Sequence, residues 1–186
     1  SENLASIFAY GGKRVCVLGA DMRRPQLFKD LQIKTKFGLS NYLSGEAGLE
    51  DILVDTAFKN LSVIVSGVIP PNPTELLEGP KMNILIEDLK QKFDFIIIDT
   101  TPMDIVADAN ILMDCADLIL VVLRQNVTSK EAIKSLSQKI KLGQLPKYTS
   151  VILNDYDSKK DHGYGYGYGY GYGYGYGYGY GYSVKK

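Results

Sequence analysis

The stretch Phe95-Ile96-Ile97-Ile98-Asp99-Thr100-Thr101-Pro102 decides the fold, because an unbroken apolar run ends in a carboxylate and then in a turn. Apolar runs without polar alternation indicate strands that are buried on both faces, as in parallel sheets covered by helices. The same pattern occurs at Val15 to Leu18, Leu118 to Leu123 and Val151 to Leu153, and more weakly at Leu61 to Val65. The segments between these runs leave room for crossover helices. The sequence therefore predicts an α/β protein with a doubly wound, mostly parallel sheet flanked by helices.

Helix boundaries can be predicted at two places along the chain. Asn72-Pro73, with Glu75 three residues after the asparagine, is typical of a helix start. Thr128 and Glu131 form the pattern of a capping box, and Gly143 follows as a stop signal. Between them lies an apolar stripe at helical spacing, which consists of Ile133, Leu136 and Ile140.

The chain opens inside a predicted helix, ahead of any predicted strand. This helix covers residues 1–10, and Gly11-Gly12 ends it. Its apolar stripe consists of Leu4, Ile7 and Phe8. In a phosphate-binding α/β fold the central strand and its Gly-rich loop precede such a helix, so we expect both to be absent from this sequence.

Composition and charge exclude some classes of protein. The 186 residues carry 21 basic and 21 acidic side chains, so the net charge is zero and no nucleic-acid partner is expected. The longest apolar run, Leu118 to Leu123, is far shorter than the roughly 20 residues that cross a bilayer, so we expect a soluble piece. Cys16 and Cys115 lie in apolar surroundings and are read either as core residues or as a redox or metal pair.

Two carboxylates stand at the carboxyl ends of predicted strands. Asp21 follows the run Val15 to Leu18, and Asp99 ends the run that begins at Phe95. Ligands of open α/β sheets bind beyond the carboxyl ends of the strands. A carboxylate there can hold hydrated Mg²⁺ or accept a proton from an attacking hydroxyl. A lone aspartate in this place can equally begin a turn or cap a helix, and the two acids together are more specific.

At these segments the sequence resembles the bacterial tyrosine kinases (BY-kinases). Residues 15–23 look like their Walker A-prime motif, and residues 95–102 look like their Walker B motif. Residues 67–77, which contain Pro-Asn-Pro-Thr-Glu-Leu-Leu, resemble the segment between the two motifs. Residues 151–154 resemble the final strand of that family. The closest likeness is to the cytoplasmic kinase domain of the polysaccharide co-polymerases that control capsule and exopolysaccharide assembly.

The resemblance implies a P-loop NTPase fold of the deviant Walker type that binds ATP and Mg²⁺. Asp21 would be the second acid of Walker A-prime, near Mg²⁺ and the incoming tyrosine hydroxyl. Asp99 would hold Mg²⁺ through water, so both acids are expected as catalytic and metal-binding residues. Asn154 would contact adenine, and Arg23 and Arg124 would contribute to nucleotide binding.

The sequence departs from the family pattern in two ways. Gly19 stands where the family commonly has the first acid of Asp-x-Asp, so its role would fall on Asp21. The Walker A loop with its Lys and Ser/Thr is absent, and Ser1 would begin just after it. We therefore expect a domain that is truncated after Walker A and lacks its first strand and P-loop. This fragment is expected to bind ATP poorly and to be close to inactive alone.

The sequence predicts a kinase domain over residues 1–160 and a tail over residues 161–186. Ten consecutive Gly-Tyr pairs fill residues 163–182. Glycine at every second position opposes stable packing, so we expect the tail to be disordered. A linker or an adhesive stacking segment is the alternative interpretation. The resemblance implies instead that the tail tyrosines are phosphoacceptors: Tyr164, Tyr166, Tyr168, Tyr170, Tyr172, Tyr174, Tyr176, Tyr178, Tyr180 and Tyr182.

The resemblance thus implies a tyrosine autokinase that regulates polysaccharide polymerisation and export. It also implies a ring-like homo-oligomer that phosphorylates in trans, a membrane-embedded co-polymerase region in cis or as a partner, and a cognate tyrosine phosphatase. The location would be the cytoplasmic face of the bacterial inner membrane. Two alternatives stay open: an ATPase switch of the kind used in cell division and plasmid partitioning, and a non-catalytic regulatory docking module.

Overall fold

The structure, a computed structural model, describes residues 1–25, 33, 35–102 and 108–157. Within them the helices are α1 (Glu2–Tyr10), α2 (Leu39–Ser44), α3 (Leu49–Ile52), α4 (Pro73–Glu78), α5 (Pro80–Lys92), α6 (Asp108–Met113) and α7 (Lys130–Lys141). The strands are β1 (Val15–Gly19), β2 (Val54–Asp55), β3 (Leu61–Ile64), β4 (Phe95–Asp99), β5 (Ile119–Arg124) and β6 (Thr149–Asn154). The predicted domain boundary at residue 160 and the Gly-Tyr tail lie outside the described residues.

The main sheet has the strand order β2-β3-β1-β4. β1 runs parallel to both of its neighbours, since Val15 pairs with Leu61 of β3 and with Phe95 of β4. β2 is a short antiparallel strand at the edge, which the sequence did not predict. β5 and β6 form a separate parallel pair. The prediction of a mostly parallel α/β sheet is confirmed.

Helices cover both faces of the main sheet, because the side chains of β1 alternate between two apolar cores. Cys16 and Leu18 belong to the larger core, and Val15 and Val17 belong to the smaller one on the opposite face. Side chains from α2, α3, α4 and α5 complete the larger core, among them Leu39, Leu43, Ile52, Leu77, Met82, Leu85 and Leu89. Ala5 and Ala9 of α1 complete the smaller core. This arrangement confirms the doubly wound architecture.

Cys16 is a core residue. Its side chain is fully buried in β1, and burial raises the pKa of its thiol to about 12. The thiol therefore stays protonated near neutral pH and packs as a small apolar group. Both Cys16 and Cys115 are free cysteines. Core packing, one of the two interpretations left open by the sequence, is what the structure shows for Cys16.

The helix starts differ from prediction at one place. α4 begins at Asn72-Pro73 as predicted, but the predicted cap of α7 at Thr128 is wrong by one residue. Ser129 caps α7, because its Oγ accepts a hydrogen bond from the N–H of Ala132 at 3.1 Å. The Thr128 hydroxyl instead accepts a hydrogen bond from the N–H of Arg124 at 2.8 Å, so it is already engaged in the preceding turn.

α1 forms where the sequence predicts a helix, but its buried stripe is shifted. Ala5 and Ala9 are the buried residues, whereas Ile7 is 67% exposed. Phe8 stacks on Phe95 of β4 with ring centroids 4.4 Å apart. The small residues face the sheet because they allow α1 to approach β1 closely, which leaves the larger Ile7 outside.

The expectation that the apolar strands are buried on both faces is wrong for β4, β5 and β6, none of whose residues is fully buried. Val122 is 56% exposed and Leu153 is 55% exposed. Within the described residues β4 forms one edge of its sheet, and β5 pairs only with β6. A two-stranded ribbon cannot bury both faces as a wider sheet does. β4 and β5 belong to separate sheets among the described residues.

Among the described helices, none combines the length and the apolar composition that crossing a bilayer requires.

The orientation of α5 can be tested with two neighbouring residues. Leu85 is fully buried and Ile84 is 54% exposed. Leu85→Ala should lower the free energy of unfolding by about 2–5 kcal/mol, because it removes buried methyl groups and leaves a cavity. Ile84→Ala, the matched control, should change it by less than about 1 kcal/mol. Urea titrations followed by circular dichroism measure both, and equal losses would contradict this orientation.

Candidate active site

The carboxyl ends of β1 and β4 lie side by side, and each leads into one of the two predicted acids. Gly19, the last residue of β1, is the ladder partner of Asp99, the last residue of β4. The N–H of Ala20 donates a hydrogen bond to the carbonyl oxygen of Asp99 at 2.7 Å. Asp21 therefore lies just beyond the edge of the sheet at which Asp99 ends β4. Both acids flank the end of the sheet at which open α/β folds bind ligands.

Asp21 initiates a tight turn. Its Oδ1 accepts hydrogen bonds from the N–H groups of Arg23 at 3.0 Å and Arg24 at 2.9 Å. Aspartate side chains commonly hold turns in this way. Asp21 therefore has the turn-forming role expected of a lone aspartate. It also lies at the carboxyl edge of the sheet. The direction of the Asp21 carboxylate depends on this turn.

Arg23 is held by a buried carboxylate at the start of α6. Its Nε donates to Oδ2 of Asp108 at 2.8 Å, and its Nη2 donates to Oδ1 at 3.2 Å. Arg23 Nη2 also donates to Oγ1 of Thr74 at 2.9 Å. The Thr74 hydroxyl in turn donates to Oδ1 of Asp108 at 2.7 Å. The three side chains form a closed triangle that joins the segment after β1 to α4 and α6.

The charges of this triangle support each other. The hydrogen bonds from Arg23 hold the pKa of Asp108 below its ordinary value, although burial opposes the shift. The Asp108 carboxylate raises the pKa of the Arg23 guanidinium, and the charge of Asp21 adds to the effect. Both groups are therefore charged near neutral pH. Since Asp108 is only 1% exposed, its charge depends on these partners.

Asp99 lies among further oxygen donors. The Ser1 hydroxyl, at the N-terminus of α1, donates a hydrogen bond to Oδ1 of Asp99. Thr101, two residues beyond Asp99, is buried, and its Oγ1 has no hydrogen-bond partner within the described part of the chain.

These oxygen donors fit Mg²⁺. The ion is usually held by one or two carboxylates, waters and substrate phosphates rather than by a protein cage. Over residues 1–25, 33, 35–102 and 108–157 there is no cluster of three or more His, Cys, Asp or Glu. An ion held by one or two carboxylates would take its remaining ligands from water and phosphate, so a site on Asp21 and Asp99 stays a prediction.

The space beside Gly19 is occupied by the end of β3 and the loop that follows. A Cβ at residue 19 would lie 3.0 Å from Oγ of Ser66, 3.3 Å from the Ser66 nitrogen and 3.4 Å from the carbonyl oxygen of Ile64. Ser66 is itself buried. A side chain at residue 19, such as the acid that is common in the family, would therefore require the Ser66 hydroxyl to move.

The remaining predicted residues lie at the end of the second sheet. Arg124 and Asn154 are ladder partners at the carboxyl ends of β5 and β6. Nε of Arg124 donates to Oδ2 of Asp155 at 2.9 Å, and both side chains are largely exposed. Within the described residues, this pair shares no strand ladder with Asp21 or Asp99. Their predicted role in nucleotide binding stays a prediction.

Comparison with known proteins places the chain in a family. Residues 1–152 match the family described as an AAA domain. The tyrosine-protein kinase CpsD of Streptococcus pneumoniae serotype 4 is 37% identical over 159 residues, which are 84% of this chain and 69% of that protein. The chain belongs to the bacterial tyrosine kinases. The kinase domain of the Escherichia coli tyrosine kinase ETK matches this BY-kinase with a TM-score of 0.77 and 32% identity, over 90% of this chain and 65% of that one.

The P-loop fold of this BY-kinase also occurs in proteins of another function. The cell division ATPase MinD of Pyrococcus furiosus matches it with a TM-score of 0.66 and 26% identity, over 86% of this chain and 66% of that one. The chain spans about two thirds of each of these relatives, 69% of CpsD and 65% of the ETK chain. Because one fold carries both activities, the activity has to be argued from the site.

Sequence reasoning missed Asp108 and the individual role of Thr74. Asp108 follows no predicted strand and belongs to none of the motifs compared with the family. The sequence offers only a weak sign of its role, namely one acid ahead of the apolar residues in the string Asp108-Ala109-Asn110-Ile111-Leu112-Met113. Its partner Arg23 was predicted to bind nucleotide. The contact between them depends on the tertiary structure.

The crowding at Gly19 predicts a specific coupling with Ser66. Gly19→Ala should lower the free energy of unfolding by about 1–3 kcal/mol, because the new methyl group overpacks against the Ser66 hydroxyl. In a Ser66→Ala background the same substitution should cost clearly less. Urea unfolding of the two single variants and the double variant measures the coupling. Strictly additive losses would show that Ser66 does not restrict residue 19.

Proposed function

We propose that this chain is the catalytic core of an ATP-dependent protein-tyrosine autokinase that phosphorylates its own Gly-Tyr tail. The observation that carries the proposal is the ladder pairing of Gly19 with Asp99, which puts Asp21 and Asp99 at one edge of the sheet. Kinase activity agrees with the family, whose matched members are named tyrosine-protein kinases. Phosphoryl transfer requires mainly positioning and charge neutralisation, which two acids, a metal ion and a phosphate cradle can supply.

The proposed reaction transfers the γ-phosphoryl group of ATP to a tyrosine. The phenolic oxygen attacks the γ-phosphorus, the bond from that phosphorus to the β,γ-bridging oxygen breaks, and ADP leaves. Asp21 accepts the phenolic proton. Asp99 would hold hydrated Mg²⁺, an ion that would neutralise charge on the β- and γ-phosphates. Asn154 would contact adenine, and Arg124 would contribute to nucleotide binding.

The tail supplies the acceptors in this proposal. Its ten tyrosines alternate with glycine, which offers each hydroxyl to an active site without a bulky neighbour. Each phosphate adds about −1.5 to −2 charges near neutral pH. Modification of half the sites would therefore add roughly −8 to −10 charges to about 20 residues. Such a charge would make neighbouring tails repel each other and loosen an assembly.

The names of the relatives support a proposal for the cellular role. We propose that phosphorylation of the tail regulates polymerisation and export of a capsular polysaccharide or exopolysaccharide. The kinase would act as a ring-like homo-oligomer, phosphorylating in trans, at the cytoplasmic face of the inner membrane. A membrane-embedded co-polymerase region and a tyrosine phosphatase would be its partners.

An ATPase switch is the second candidate, favoured by the likeness to MinD. The absence of a first Walker A-prime acid at Gly19 favours a third, a regulatory module without catalysis. Phosphate release without phosphotyrosine would support the ATPase. The absence of both products in the natural gene product would support the regulatory module.

The 186-residue chain by itself is expected to bind MgATP weakly. Its sequence contains no G-x-x-x-x-G-K-[ST] loop, so it offers no Lys and no backbone cradle for the phosphates. Isothermal titration should give a Kd weaker than about 1 mM. Turnover by this chain alone at the about 1–100 s⁻¹ typical of kinases would contradict the active-site assignment.

Autophosphorylation of the tail can be tested in the natural gene product that carries this chain. Replacement of all ten tail tyrosines by Phe should remove nearly all phosphotyrosine, as measured by mass spectrometry after incubation with MgATP. Asp21→Asn and Asp99→Asn should each lower the rate by at least about 100-fold, because the first loses the proton acceptor and the second the metal ligand.

The matched control replaces the chain's other four tyrosines, Tyr10, Tyr42, Tyr148 and Tyr156, by Phe. This variant should keep its phosphotyrosine. Phosphorylation that persists without the tail tyrosines, together with an unchanged oligomeric state on gel filtration, would count against the tail as acceptor and as regulator.

A further inference from the structure

Asp108 connects three segments that are far apart in the sequence. It stands at the start of α6, and its carboxylate is engaged by the guanidinium of Arg23 and the hydroxyl of Thr74. Arg23 follows β1 and Thr74 lies in the first turn of α4. Since Asp108 is almost fully buried, water contributes little to stabilising its charge, and these contacts stabilise it instead.

The triangle is linked to Asp21 by a single residue. The N–H of Arg23 donates to Oδ1 of Asp21, while the side chain of the same residue donates to Asp108. The side chain of Arg23 thus anchors the turn whose backbone holds the Asp21 carboxylate. The N–H of Arg24 completes that turn. A change at Asp108 is therefore passed to Asp21 through one side chain and two backbone hydrogen bonds.

We propose that Asp108 is a positioning residue that orients Asp21 by holding Arg23 against Thr74. Its catalytic consequence rests on the proposed kinase function, whereas its geometric part stands on the contacts alone. Arg23 acts on Asp21 through the turn, because its Nε and Nη2 are directed to Asp108 and Thr74 while its backbone N–H holds the Asp21 carboxylate. Thr74 fixes the planar guanidinium in one orientation.

This arrangement resembles the outer partners that orient metal ligands. Such partners touch neither metal nor substrate, yet their removal typically costs about 10–100-fold in metal affinity or activity. The reason is that a carboxylate has to point within a narrow angle to hold a hydrated ion or to accept a proton. Asp21 is half-buried at a strand edge, where its own turn is the contact that fixes this angle.

The geometric test measures amide hydrogen exchange at Arg23 and Arg24 by NMR in the natural gene product. Asp108→Asn should accelerate exchange at both amides by about tenfold, the factor expected for loss of one charge-assisted hydrogen bond. Asp114→Asn is the matched control, because Asp114 is an exposed acid that follows α6 directly. It should leave both amides unchanged.

The functional test measures the Mg²⁺ dependence of tyrosine phosphorylation. Asp108→Asn should raise the half-saturating Mg²⁺ concentration by about tenfold, with little change in the KM for ATP. Thr74→Val, which keeps both charges and therefore the fold, should act in the same direction with a smaller effect. Thr74→Ser retains the hydroxyl and should restore the behaviour of the unaltered protein.

Two results would overturn the inference. One is a lower thermal midpoint in Asp108→Asn with unchanged amide exchange and unchanged Mg²⁺ dependence, which would mean an ordinary structural ion pair. The other is a Thr74→Ser variant that behaves like Thr74→Val. If the unaltered protein forms no phosphotyrosine, the kinase proposal fails, and the exchange experiment still decides whether Asp108 orients the turn.

Discussion

The parallel ladder between β1 and β4 is the constraint on which the candidate site depends. It pairs Gly19 with Asp99 and brings the N–H of Ala20 onto the carbonyl of Asp99. A slip of one residue would move Asp99 by about 3.3 Å along the strand and turn its side chain to the other face. The register is fixed by burial, because Cys16 and Leu18 belong to one core while Val15 and Val17 belong to the other. The core of this BY-kinase thus fixes where β1 and β4 end, and with it the edge at which Asp99 stands and from which the segment with Asp21 departs.

Among the described residues, Arg23 links the charges of two carboxylates beside the site. Arg23 lies between the buried carboxylate of Asp108 and the more accessible carboxylate of Asp21. Burying Asp108 is costly, and the bidentate guanidinium and the Thr74 hydroxyl offset that cost. On the side of β1 that faces β3, Ser66 occupies the space beside Gly19. The turn therefore holds the Asp21 carboxylate, and Ser66 fills the space that an acidic side chain at residue 19 would need.

The fold was largely predictable because long apolar runs are strong signals. β1, β4, β5 and β6 all form at the predicted runs, and β3 forms at the weakest of them. The two-residue β2 and the short α2 and α3 carry too little periodicity to be recognised. Neighbouring hydroxyls compete to cap a helix. Ser129 caps α7 because the Thr128 hydroxyl already accepts a hydrogen bond from the N–H of Arg124. The degree of burial of β5 and β6 depends on which strands flank them, a property that no local pattern contains.

The sequence by itself determined the class of fold, the family likeness and the two acids, since each rests on residues that are close neighbours along the chain. Only the tertiary structure decided that Asp108 pairs with Arg23 across 85 positions and that Thr74 joins them. It also decided that Ser66 lies against Gly19. The physical reason is that contacts between side chains from different elements follow from the packing of helices on a sheet. A linear pattern records which face of an element is apolar, but not which polar group of another element that face will meet.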